Sequence, residues 1–131
     1  HAFDIMDTEA VGGACTIRGN VIDGGSGATS YCIELGWTEI SPTIAWNSFL
    51  ASGATARYGI YEDSDTANPV AVTNNVFSAG LADAGNQRYL YRDYTGSVAN
   101  LVDNIATLNF IDAAPLNYNP AGSVSGNTLG P

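Results

Sequence analysis

Cys15-Thr16-Ile17-Arg18-Gly19-Asn20-Val21-Ile22, then Asp23-Gly24-Gly25-Ser26-Gly27, then Tyr31-Cys32-Ile33-Glu34-Leu35-Gly36-Trp37, is the stretch on which the fold class turns. The first run alternates and is rich in β-branched residues, so it reads as a strand. The glycine cluster reads as a turn. The third run reads as the returning strand, which sets up an antiparallel arrangement.

Outward from this stretch the same signals recur. Thr55 to Tyr61, Val70 to Thr73, Val76-Phe77 and Gln87 to Tyr94 are all strand-like. Two segments carry helix punctuation instead. Ser41-Pro42 leads into Thr43 to Ser52 and Gly53, with a cap, a first-turn proline and a terminal glycine. From Ser97 to Asn109, the residues Val98, Leu101, Val102, Ile105 and Leu108 fall at helical spacing. No internal repeat is evident. The expected fold is therefore mainly β: a single antiparallel β-sandwich-like domain with one or two short helices, with an α+β arrangement as the alternative. Residues 1–114 form the expected globular part, with an N-terminal arm at 1–12. Residues 115–131, rich in proline, glycine and small polar residues, form an irregular tail.

At 131 residues the chain suits one domain and is long enough to bury a core. The net charge is −9, from thirteen carboxylates against four arginines. Such a chain repels phosphate backbones and anionic membrane surfaces, so nucleic acid is an unexpected partner. No run approaches the ~20 apolar residues of a membrane span. Charged residues make up 13% of the chain, about half the usual share, and short polar side chains replace them. A surface of that kind loses little side-chain entropy when it is covered.

There is no lysine, and the only histidine is His1. This removes Schiff-base chemistry, phosphate-loop lysines and histidine-centred triads. A copper site built on an N-terminal histidine needs a second histidine, which is missing. No enzymatic activity and no cofactor are expected. The start at His1-Ala2-Phe3, without methionine, fits removal of a signal peptide or a tag remnant.

Cys15 and Cys32 flank the glycine-rich turn. Their even number and strand-like settings suggest a disulfide worth on the order of 3 kcal/mol, and with it a secreted, extracellular protein. Glu62, Asp63, Asp65 and Asn68 place oxygen ligands in one loop, a weak calcium candidate. Ala67 and the missing glycine rule out an EF-hand. Arg57, Tyr61, Arg88, Tyr89, Tyr91 and Arg92 are candidate ligand or interface residues, because tyrosine and arginine dominate interface energetics and stack on sugars. Leu116, Tyr118, Val124 and Leu129 would give the tail its contacts.

These features point to a non-enzymatic structural subunit of an extracellular assembly, such as a pilus-like filament or a virion surface protein. Its termini would contact neighbouring copies of itself. The alternative is a carbohydrate- or receptor-binding module using the Tyr/Arg strands. A hydrolase working through paired carboxylates is a third reading, but thirteen acids make some pair inevitable and therefore uninformative.

Overall fold

In a computed structural model the described residues are 3–8, 15–38, 41–51, 56–62, 70–78, 87–93, 99–107 and 124–130. They form strands, with no helix among them. One wall of the molecule stacks the longer strands: β1 (Phe3–Thr8), β4 (Thr29–Thr38), β7 (Ala56–Glu62) and β10 (Gln87–Asp93). A second wall stacks β2 (Thr16–Arg18), β5 (Thr43–Ala45), β8 (Val70–Thr73), β11 (Ala99–Val102) and β13 (Val124–Ser125). A third stacks β3 (Val21–Asp23), β6 (Ser48–Leu50), β9 (Val76–Ser78), β12 (Ile105–Thr107) and β14 (Thr128–Gly130). Every pairing is parallel. The architecture is a parallel β-helix: the chain visits each wall in turn, and each strand pairs with its counterpart one coil away.

The antiparallel sandwich is thus corrected. Strands that follow one another in sequence do not pair, because they lie on different walls. The other two walls supply the long crossover that parallel neighbours require. Both expected helices are corrected as well. Thr43 to Ser52 contains β5 and β6, and Ser97 to Asn109 contains β11 and β12. The helical spacing is a coincidence of the coil, in which Leu101 is buried while Ile105, one helical turn on, is exposed.

The repeat missed in the sequence is an asparagine between two inward apolar residues. Ile17, Asn20 and Ile22 recur as Ile44, Asn47 and Phe49, as Val72, Asn75 and Phe77, and as Leu101, Asn104 and Ala106. These apolar residues stack in register on the two short walls. With Ile33, Leu35, Ile60, Leu90 and Tyr91 from the long wall they form one core. Each fully buried aliphatic or phenyl side chain contributes about 1.5–3 kcal/mol.

The corner between the short walls explains the asparagine. The residue before it has a left-handed backbone in every coil: Gly19 (φ 70), Trp46 (φ 59), Asn74 (φ 55), Asp103 (φ 54) and Gly126 (φ 67). This turn rotates the next amide out of the backbone ladder, so a side chain must receive it. Asn47 Oδ1 accepts the Asn20 N–H at 3.0 Å, and Asn75 Oδ1 accepts that of Asn47 at 2.9 Å. Asn104 and Asn127 continue the series, each accepting at 2.9 Å. Each Nδ2 also donates to the next Oδ1 in the stack, from Asn20 through to Asn127. In Asn47, Asn75, Asn104 and Asn127 it donates as well to a carbonyl of the preceding coil, those of Ile17, Ile44, Val72 and Leu101. Asn47, Asn75 and Asn104 are buried with every amide group engaged.

Cys15 and Cys32 are free thiols, so the disulfide is corrected. Cys15 stands just before β2 and Cys32 within β4, strands that belong to different walls. Cys32 is buried, and its Sγ–H donates to the Leu50 carbonyl at 3.2 Å. Within the segment read as a tail, β13 and β14 pair with β11 and β12. Within the segment read as an arm, β1 pairs with β4.

Candidate functional site

The long wall departs from simple alternation. Cys32 and Ile33 both face the core, as do Leu90 and Tyr91. Between them, a Cβ on Gly59 would lie 2.7 Å from the Leu90 carbonyl oxygen and 3.3 Å from Phe49 Cδ2, so Gly59 faces inward as Ile60 does. The paired register is interrupted at Cys32, Gly59 and Leu90, and the outward residues flanking this step stand beside their counterparts in the next coil.

Those outward residues are tyrosines. Tyr31 pairs in register with Tyr58. The Tyr31 and Tyr58 rings stack with centroids 5.6 Å apart, Tyr31 and Tyr61 at 4.8 Å, and Tyr58 and Tyr61 meet at a tilt at 5.5 Å. This cluster is separate from the core and includes Ala56. Tyr58 is buried at its centre, while Tyr31 and Tyr61 are half-buried at the surface. Such pairs contribute about 0.5–1.5 kcal/mol each beyond their burial. Glu34, also half-buried, sits beside Tyr61 in register, and Asp4 sits beside Glu34.

Of the residues singled out in the sequence, Arg57 is buried between Ala56 and Tyr58, in register with Ser30. Arg88, Tyr89 and Arg92 occupy the register positions next to Arg57, Tyr58 and Tyr61. Tyr91 lies wholly within the core, and its hydroxyl has no hydrogen-bond partner among the described residues. Glu62 ends β7, whereas Asp63, Asp65 and Asn68 lie outside the described residues, as do Leu116 and Tyr118. Val124 and Leu129 belong to β13 and β14. Among the described residues no cluster of three or more His, Cys, Asp or Glu could hold a metal ion, and no helix is long and apolar enough to cross a membrane.

Tyr31 and Tyr58 were missed. The signal lay in aligning Tyr31-Cys32-Ile33 with Tyr58-Gly59-Ile60 and Tyr89-Leu90-Tyr91, which needs the coil repeat. Burial pushes the Cys32 thiol from 9.0 up to about 12, opposed by backbone hydrogen bonds at Gly24 and Leu50. A thiol so held is protonated and unreactive, which separates it from any nucleophilic role. No protein-family model, curated protein or solved structure matches this chain.

Proposed function

We propose that this chain is a non-enzymatic carbohydrate-binding segment whose binding surface is the outer face of the long wall. The observation that carries this reading is the cluster of Tyr31, Tyr58 and Tyr61 rings on the outside of the sheet, apart from the core. Tyrosine joins an apolar ring, which suits the C–H face of a sugar, to a hydroxyl that donates and accepts hydrogen bonds. Parallel rungs recur every ~4.8 Å, so a polymer lying along the axis meets similar positions repeatedly. The net charge of −9 disfavours polyanionic glycans and leaves neutral or cationic ones. The lack of lysine, and of any histidine beyond His1, supports binding without catalysis.

Affinity electrophoresis and calorimetry against a panel of soluble neutral polysaccharides test this. Binding by the native chain, lost in the Tyr31→Ala/Tyr61→Ala double variant and unchanged in size or turnover of the polymer, is the expected result. Failure to bind any member of the panel, or equal binding by the double variant, rules the reading out.

A further inference from the structure

The third wall, away from the tyrosines, carries a second surface. The first residues of its strands point outward and form one row in register: Val21, Ser48, Val76, Ile105 and Thr128. Val21 is 74% exposed, Val76 and Ile105 are each 40% exposed, and Leu50 beside them is 42% exposed. Trp46, at the corner bordering this row, is 57% exposed. Its sister positions are Gly19, Asn74, Asp103 and Gly126, residues that tolerate a left-handed backbone far better than tryptophan does. A large aromatic held in a costly conformation and left in solvent marks a contact residue.

Charge supplies the rest. Arg18 ends β2 on the second wall, one residue before the corner that leads onto this face in the first coil, and Asp103 is the corner residue of the fourth. They are three rung spacings apart, about 14 Å along the axis. Both are exposed, and among the described residues neither has an ionic partner. A two-fold axis parallel to the strands and passing between the second and third coils would set this wall against itself with the coils reversed. Val21 then meets Ile105 of the other copy, Ser48 meets Val76, Trp46 meets the Asn74 corner, and Arg18 meets Asp103, each twice by symmetry. An interface of this isologous kind is the commonest in soluble oligomers.

We propose that the face bearing Val21, Trp46, Leu50, Val76 and Ile105 binds a second copy of this chain in an antiparallel, face-to-face dimer registered by Arg18 and Asp103. This places self-association on a wall of the helix rather than at the termini. It does not depend on glycan binding at the opposite surface.

The test is sedimentation velocity on the full chain at physiological ionic strength, over a wide range of concentrations. A reversible dimer is expected. Trp46→Gly should weaken it by roughly tenfold or more while raising the melting temperature of the chain measured at concentrations too low for the dimer to form, since glycine relieves the corner. Loss of the dimer by misfolding would lower that temperature instead. Arg18→Asp and Asp103→Arg should each weaken association, and the Arg18→Asp/Asp103→Arg double variant should restore it. A chain that stays monomeric at its highest soluble concentration overturns the proposal. So does a dimer indifferent to Trp46→Gly, or one that the double charge exchange fails to restore.

Discussion

Replacing Asn75 by alanine should strip more stability from this protein than its small volume suggests. Asn75 Oδ1 accepts from the Asn47 N–H at 2.9 Å and from Asn47 Nδ2 at 3.0 Å. Its own Nδ2 donates to the Ile44 carbonyl at 2.8 Å and to Asn104 Oδ1 at 3.1 Å. Alanine removes all four bonds and leaves the backbone N–H and one Nδ2 hydrogen of the buried Asn47 without acceptors, the other Nδ2 hydrogen keeping the Ile17 carbonyl. Each orphaned buried donor costs about 1–3 kcal/mol, so the total is about 2–6 kcal/mol, a large share of a typical stability of about 5–15 kcal/mol. The urea midpoint should fall by roughly 1–2 M. Asn20 is the control: it is exposed, and its backbone N–H still donates to Asn47 Oδ1 after substitution. Asn20→Ala should cost only about 0.5–1 kcal/mol. Asn75→Asp adds a second test. A carboxylate there turns an oxygen towards the Ile44 carbonyl and Asn104 Oδ1 and is desolvated, so its pKa rises and the variant should regain stability as pH falls. If Asn75→Ala costs no more than Asn20→Ala, the ladder is not what closes the corner and the reasoning fails.

Three further outcomes follow from the core. Gly59→Ala should destabilise by about 2 kcal/mol in thermal melts, because its methyl would sit 2.7 Å from the Leu90 carbonyl oxygen with Phe49 behind it. Tyr91→Phe should stabilise by about 1 kcal/mol, raising the melting temperature by about 3 °C, because it deletes a buried hydroxyl that has no partner among the described residues. Cys32 should resist alkylation until the chain unfolds, while Cys15, partly exposed, reacts in the native state. Since the folded Cys32 holds its proton to about pH 12 and the unfolded one only to 9.0, stability should decline above pH 9 by about 1.4 kcal/mol per pH unit, and Cys32→Ala should flatten that slope.

The strands were legible and their partners were not. Runs such as Thr16 to Ile22, Tyr31 to Trp37 and Gln87 to Asp93 declare themselves because β-branched and aromatic residues suit an extended, half-buried backbone. Period-two alternation says which face a residue takes, but not which neighbour it pairs with or in which direction. The glycine-rich turn after Asp23 looked like a hairpin, yet it only turns the chain from one wall to the next. The coils escaped notice because successive asparagines lie 27, 28, 29 and then 23 residues apart. Only the six-residue core of each repeat is constant, and its middle residue is as varied as Gly19, Trp46 and Asp103. For the candidate site, Tyr61 and Tyr89 could be named from composition. Tyr31 and Tyr58 could not, and Tyr91 looked equivalent to Tyr89 until the double inward step placed it in the core.

By itself, then, the sequence determined a β-rich chain that is acidic, lacks lysine and carries histidine only at position 1, because propensity and titratable inventory are properties of residues taken one at a time. The tertiary structure decided the parallel coil, the buried asparagine ladder, the free thiols and the gathering of three tyrosines on one outer face. Each depends on residues 23 to 29 positions apart meeting across a rung, or on one wall turning away from the next. Those meetings depend on parallel rungs pairing and on asparagine side chains of one coil receiving amides of the next, so a stretch of sequence shorter than a coil does not show them.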